Sequence, residues 1–171
     1  HVEDIIENRT DFAFRMGKLN DSRLTAVALN NALPIFCASP EYIENNGQPV
    51  SYDDLFSEHR LILPNYLNLS EQLRRFFSHS EKLPISLNNA HTSNSETVLY
   101  QAVLGGLGVG IMLDFSIAED LETGSLINIF PHSDLPALEL FLIYLNSKHM
   151  PEKLRVFKAF IKENYNKLGQ E

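Results

Sequence analysis

Asp11-Phe-Ala-Phe-Arg-Met-Gly-Lys-Leu-Asn-Asp-Ser-Arg-Leu24, with Ala38-Ser-Pro-Glu-Tyr42 after it, is the stretch that decides how this chain folds. Phe12 to Phe14 predicts a short strand that runs out at Arg15-Met16-Gly17. A polar turn then leads into a second apolar run, Leu24 to Leu29. Pro34-Ile-Phe-Cys-Ala38 predicts a short buried strand. Ser39-Pro40-Glu41 predicts a helix start, with a hydroxyl at the N-cap, proline at the first helical position and an acid in the first turn.

Outward from there, strands and helices alternate. Val2 to Glu7 reads as the last turn of a helix. Asn45-Asn46-Gly47 stops the helix begun at Ser39, and Ser51-Tyr-Asp-Asp54 starts another, its acids favoured at the positive end of the helix dipole. Arg60 to Leu63 and Ile85 to Leu87 read as strands. Ser93-Asn-Ser-Glu96 has capping-box spacing with Ser93 as cap, and Val98, Leu99, Ala102 and Val103 then share one helical face. Gly105-Gly106 ends that helix, and Val109 to Leu113 is an apolar strand. Asp114 to Leu121 predicts a helix capped by Asp114 with Gly124 just past its end. Leu126 to Phe130 and Leu138 to Leu145 are predicted strands, and Pro151 to about Leu168 an amphipathic helix. This alternation predicts an α/β architecture with mostly parallel pairing.

The 171 residues, 44% of them hydrophobic, are enough for one sizeable core or two small lobes. A formal net charge of -8 disfavours binding to DNA by this chain itself, because such affinity rests on Lys and Arg neutralising phosphates. Cys37 is the single cysteine, so no disulfide can form within the chain, which fits a reducing, cytoplasmic setting. No apolar run is long enough to span a bilayer, and no membrane partner is expected.

Catalytic signatures are weak. Gly105-Gly-Leu-Gly-Val-Gly110 invites a nucleotide-loop reading, but that fingerprint needs strand, glycine loop, then helix, and here the helix comes first. The glycines are better read as ending a helix and allowing a tight approach to the next strand. Six histidines show no i,i+4 pair and no zinc spacing, so no metal or cofactor is expected. No Gly-x-Ser-x-Gly elbow is present, and the adjacent carboxylates Asp53-Asp54 and Glu119-Asp120 point apart on a helix. Cys37 reads as a small buried hydrophobe or, alternatively, as a redox sensor. Ser93-Asn94-Ser95 stands out, since a helix start offers open N–H groups to an anion; simple capping is the competing reading.

In order and spacing, these elements resemble the effector-binding domain of LysR-type transcriptional regulators. The landmarks are Asp11-Phe-Ala-Phe-Arg-Met-Gly17, Asp21-Ser-Arg-Leu24, Ala38-Ser-Pro-Glu-Tyr42, Ala102-Val-Leu-Gly-Gly-Leu-Gly-Val-Gly-Ile111 and the closing Phe157-Lys-Ala-Phe160 helix. The resemblance implies an α/β fold of two Rossmann-like lobes joined by crossover strands, as in type II periplasmic binding proteins. Residues 1–32 and 134–171 would form lobe I, without the family's opening strand–helix–strand, and residues 33–133 lobe II. It implies a non-enzymatic sensor that binds a small molecule in the interlobe cleft. The carried-over ligand residues are Arg15, Met16 and Gly17 on one lip, Cys37, Ala38 and Ser39 after the crossover, and Ser93, Asn94 and Ser95 on the opposite wall. Arg15 would suit an anionic effector or, equally, an ion pair between lobes. Implied partners are a homo-oligomer, dimer or tetramer, in a longer parent protein, and DNA only through a winged helix-turn-helix that this sequence does not contain. A solute receptor of a transport system is the alternative with the same fold.

Overall fold

The computed structural model describes residues 10–16, 23–65, 90–133, 135–145 and 150–165. The expected helical turn at Val2–Glu7, the strand at Ile85–Leu87 and the turn residues Gly17 to Ser22 lie outside them. The chain divides into two compact units, His1–Leu33 with Pro136–Glu171, and Pro34–Leu135. Both crossings fall on a Leu-Pro bond, Leu33-Pro34 and Leu135-Pro136. Proline holds its own φ and pushes the preceding residue towards extended backbone, so each crossing is biased against helix.

The first unit is an antiparallel sheet with a helix. Strands β1 (Ala13–Met16) and β2 (Leu24–Ala32) flank a strand from the far end of the chain, Leu138–Leu145. Both pairings are antiparallel, with Arg15 opposite Phe141 and Leu24 opposite Leu145. Buried Leu29, Leu140 and Leu142 form one small core with Phe12, Met16 and Val27, which the helix Glu152–Tyr165 closes through Ile161. Phe12 meets Tyr144 edge-on, ring centroids 5.4 Å apart, and Phe157 at 5.2 Å. Ala13 and Phe141 lie with buried Leu24 and Ile143 in the sheet's other cluster.

The second unit has a five-stranded sheet between helices. Its strands are β3 (Pro34–Ala38), β4 (Leu61–Pro64), β5 (Ala90–Ser93), β6 (Val109–Leu113) and β7 (Ile127–Asn128), in the order β5-β4-β6-β3-β7. Helices α1 (Pro40–Asn46) and α2 (Tyr52–Glu58) start where the sequence places them, with Ser39 and Ser51 accepting from the backbone N–H of Tyr42 and Asp54. Both helices pack on a core built round Phe36, with Tyr42, Leu55, Phe56 and Leu63. On the other cluster of the unit, helix α3 (Glu96–Leu104) sends Leu99 and Val103 down to Cys37, Ile62 and Met112. Every residue of β6 is buried, as its unbroken apolar run demands.

Several expectations need correction. Pairing is not mostly parallel: β4 is parallel to β5 and β6, but β3 is antiparallel to both of its neighbours, and the first unit's described pairs are all antiparallel. The cap of α3 is Ser95, not Ser93, which instead closes β5. Val98 stays 57% exposed, because Leu99 and Val103 set the buried face and Val98 lies about 100° round the helix from Leu99. The helix predicted from Asp114 is a 3-10 turn, Asp114–Ser116, then α4 (Ala118–Thr123). The break is at Ile117, whose non-helical backbone (φ -127°, ψ 16°) accompanies its burial beside Cys37 and Leu126. The strand expected over Leu126–Phe130 shrinks to β7, where Asn128 Oδ1 accepts from Phe130 N–H and bends the chain.

The glycine run is structural, as read. Gly106 has φ 72° beyond the end of α3. At Gly108 a Cβ would stand 2.5 Å from the Arg60 carbonyl oxygen, and at Gly110 it would stand 2.3 Å from Val103 Cγ2. The run lets helix, loop and strand approach within van der Waals reach.

Candidate ligand-binding site

Strands β5, β4 and β6 run parallel, so their carboxyl ends, Ser93, Pro64 and Leu113, lie at one edge of the second unit's sheet. Pro34, where the chain enters this unit, pairs with Leu113 at the same edge. Helix α3 begins three residues beyond β5, which places its open N–H groups there as well. Ser93 Oγ accepts from Ser95 N–H at 3.1 Å, and the Ser93 carbonyl accepts from Asn65 N–H at 3.0 Å. Ser95 Oγ accepts from Val98 N–H at 3.5 Å. Asn94 is exposed between the two serines, so its amide is available to a bound molecule.

Cys37, Ala38 and Ser39 are not brought to this edge. Cys37, Gly110, Ile62 and His91 form one row across the sheet. From that row Ser93 lies two residues towards the carboxyl ends, and Ser39 two residues the other way. The two serines are thus roughly 13 Å apart along the strands and roughly 14 Å across three strand spacings. One small molecule cannot span both. Antiparallel β3 is the cause, since it turns its own carboxyl end towards the amino ends of its neighbours. Cys37 and Ala38 are fully buried, and Ser39, at 3% exposure, is occupied as the cap of α1.

Burial raises the Cys37 thiol from its ordinary 9.0 to about 12, with the Asp120 carboxylate adding to the rise. The protonated thiol is therefore the species of the folded state, which argues against the redox reading. A folded value above the unfolded one means that the stabilisation is complete below pH 9 and is lost as pH climbs towards 12. Between those values, stability is expected to fall by about 1.4 kcal/mol per pH unit more in the wild type than in Cys37→Ala. Urea midpoints of both proteins from pH 8 to 11 check this; parallel curves would refute it.

In the first unit, Arg15 is half-buried in β1 on the face of Ala13, while Met16 packs into the core with Leu29 and Leu140. Gly17 lies outside the described residues.

Two cavities of the second unit escaped the sequence reading. One, about 250 Å³, runs between α3 and β5 from Ser93 to Arg60 and Leu107. The other, about 360 Å³, is lined by Tyr42, Asn46, Glu58, His59, Arg60 and His91, among others. At its wall the buried His59 Nδ1 lies 3.1 Å from Tyr42 OH, which also accepts from Arg60 N–H at 3.2 Å. His59 Nε2 lies 4.0 Å from Asp54 Oδ2. Sequence could not place His59 and His91 on one cavity, because they meet only through the β4–β5 pairing. Among the described residues no cluster of His, Cys, Asp or Glu could hold a metal, and no helix is long and apolar enough to cross a membrane.

Comparison with known proteins is consistent in direction. The family model for the LysR substrate binding domain matches residues 1–166. An uncharacterized HTH-type transcriptional regulator of Haemophilus influenzae is 30% identical over 151 residues, which is 88% of this chain and 52% of the relative. The HTH-type transcriptional regulator CrgA of Neisseria meningitidis is 29% identical over 163 residues, 94% of this chain and 53% of CrgA. The solved CrgA regulatory domain superposes with a TM-score of 0.79 at 26% identity, covering 96% of this chain and 80% of that one. The effector domain of AmpR from Pseudomonas aeruginosa, at 21% identity, shares the fold with a TM-score of 0.76 over 95% of this chain and 75% of its own. The chain spans about half the length of the curated relatives that it matches.

Proposed function

This chain belongs to the LysR substrate-binding domain family, and from that premise we propose that it senses a small-molecule effector for a longer regulator. The relatives are transcriptional regulators rather than enzymes or transport receptors. Within the second unit, the effector is held at the carboxyl ends of β5, β4 and β6, against Asn94 and the start of α3. The observation behind this is the coincidence of three parallel strand ends with a helix start at the edge where the chain enters the unit. In open α/β sheets, ligands sit outside the carboxyl ends of strands, where N–H groups of the following helix face an acid or a carbonyl. Ser95 shapes this lip by capping α3 and Ser93 by holding the Ser95 N–H, and Asn94 supplies the amide that reads the ligand. The family resemblance also assigns Arg15 to the effector, for which Arg15→Ala is a separate test.

In the parent protein, effector binding shifts the population between two arrangements of a cytoplasmic oligomer, and DNA contact is made by a separate helix-turn-helix domain. The charge of -8 supports that division of labour, since this chain itself offers little to phosphates.

The test is a thermal-shift titration of small carboxylates and carbonyl compounds. A ligand at a hundredfold its Kd stabilises by about 2.7 kcal/mol, a concentration-dependent rise in Tm. Asn94→Ala is expected to leave the unliganded Tm unchanged and to weaken the hit about tenfold, equivalent to about 1.4 kcal/mol. A hit with the same Kd in Asn94→Ala and Ser93→Ala would remove the site from this edge.

A further inference from the structure

We infer that Glu96 makes the lip at the carboxyl ends of β5, β4 and β6 selective for uncharged carboxamides over the matching carboxylates. This rests on the site proposed above and names the class of ligand that it takes. Glu96 is the first residue of α3, directly after the cap Ser95. It stands three residues before Leu99, so the two lie about 60° apart around the helix. Leu99 is 2% exposed against the sheet, which puts Glu96 on the side of α3 turned towards the strands. Helical Cα–Cβ bonds tilt towards the helix start, and that tilt carries the Glu96 side chain to the lip. Its carboxylate is exposed and has no hydrogen bond or ion pair among the described residues.

An acid in the first turn complements the helix dipole. Here the anion that the helix start favours is already part of the chain. A ligand carboxylate on the same N–H groups would bring a second negative charge within a few ångströms, and the two would repel. The described residues of this unit offer no cation to offset that. Arg60 is the one Lys or Arg among them, and it precedes β4, its Nη1 donating to the Leu107 carbonyl at 3.1 Å. From Arg60 to Pro64 the chain rises four residues, roughly 13 Å, which exceeds the screening length of about 10 Å at 0.1 M salt. The side chains at the lip itself are neutral or acidic. Asn65 and Asn94 follow one another on adjacent strand ends, joined by the Asn65 N–H to the Ser93 carbonyl at 3.0 Å, and Asp114 follows β6. A carboxamide satisfies all of this. Its carbonyl oxygen accepts from the N–H groups of α3 without adding charge, and its N–H donates to the Glu96 carboxylate in a charge-assisted bond.

A matched pair of alkylating reagents reads the lip directly. The thiol introduced by Asn94→Cys is treated with iodoacetamide and, separately, with iodoacetate. Both attack the same thiolate, so its pKa cancels in the ratio of the two rates. Cys37 stays silent, because it is fully buried and its thiol is pushed up to about 12. The amide-to-acid ratio is expected to exceed that of N-acetylcysteinamide about tenfold at low salt, and to fall about fivefold in Asn94→Cys/Glu96→Gln. It should also shrink in 1 M sodium chloride, where the screening length is about 3 Å. Glu96→Asp, which keeps the charge, is expected to keep the preference. Binding is then measured by calorimetric titration of the whole chain with benzamide against benzoate and nicotinamide against nicotinate. The amide of each pair is expected to bind about tenfold tighter, a margin that closes in Glu96→Gln. A ratio equal to that of N-acetylcysteinamide, or indifferent to Glu96→Gln, would overturn the selectivity and leave the site standing. So would an acid that binds as tightly as its amide and is weakened by Asn94→Ala. Binding of these probes that ignores Asn94→Ala would instead remove the site, and this proposal with it. If none of the four binds, the alkylation ratios alone decide.

Discussion

Phe36→Ala is expected to cost the second unit about 3–5 kcal/mol, the range for deleting a buried aromatic ring. Phe36 is 2% exposed in the middle of β3, and three rings converge on it. Tyr52, Phe56 and Phe130 have their centroids 6.0, 6.2 and 6.2 Å away, the last two nearly perpendicular to it. Edge-on pairs of this kind add to plain burial. Collapse into the vacated space is resisted from several sides, because the ring's neighbours come from α2, the β7 turn and the sheet itself. Strand β3 also gives its Phe36 carbonyl to Ile129 N–H at 2.8 Å, so displacement of the strand would strain a second element. Urea unfolding followed by near-ultraviolet dichroism of the tyrosines measures the loss. Val50→Ala, at an 87% exposed position, is the control and should change stability by no more than about 0.5 kcal/mol. A loss below about 1 kcal/mol for Phe36→Ala would mean that this core is packed differently.

Gly110→Ala is expected to be the next most damaging change, costing about 3 kcal/mol for one added methyl group. The new Cβ would lie 2.3 Å from Val103 Cγ2, well inside contact distance, and 3.4 Å from Met112 Cε. Met112 can bend away. Val103 cannot, because a β-branched side chain in a helix has one strongly preferred χ1, and this one is fully buried. Relief requires α3 to lift from β6, which would open the contacts of Leu99 with Ile62 and Met112. The double variant Gly110→Ala/Val103→Ala isolates the collision: it should be more stable than the sum of its two single changes predicts, by about 1 kcal/mol or more. Strict additivity would show that the methyl group is accommodated elsewhere.

Local chemistry was legible where it is local. Ser39 and Ser51 cap their helices, Gly47 ends the first of them, and the bounds of β3, β6 and the Leu138–Leu145 strand coincide with their apolar runs. Each depends on residues within a few positions of one another. The candidate site was only half legible for the same reason. Ser93 to Ser95 could be recognised from capping spacing, although which serine caps depended on where β5 ends. That Cys37 to Ser39 lie at the opposite sheet edge from Ser93 could not be read, because nothing in Pro34–Ala38 records whether that strand runs with its neighbours or against them. Val98 was grouped by spacing with an apolar face of which the sheet buries only Leu99 and Val103. The groove that it overhangs is invisible until β5 takes its place beside β4.

The sequence by itself determined the α/β class, because apolar periodicity, caps and glycine positions are short-range properties, and the resemblance of its motifs pointed to the family that the family model matches. Only the tertiary structure decided which ends of the strands coincide. The antiparallel β3 moves Ser39 away from Ser93, gathers the carboxyl ends of β5, β4 and β6 beside the chain crossing, and sinks Cys37 beyond solvent. Strand direction and register are set by which pairings bury Phe36 with Val109 in one core and Leu99 with Cys37 in the other. That choice is made among residues tens of positions apart, so no window of sequence contains it.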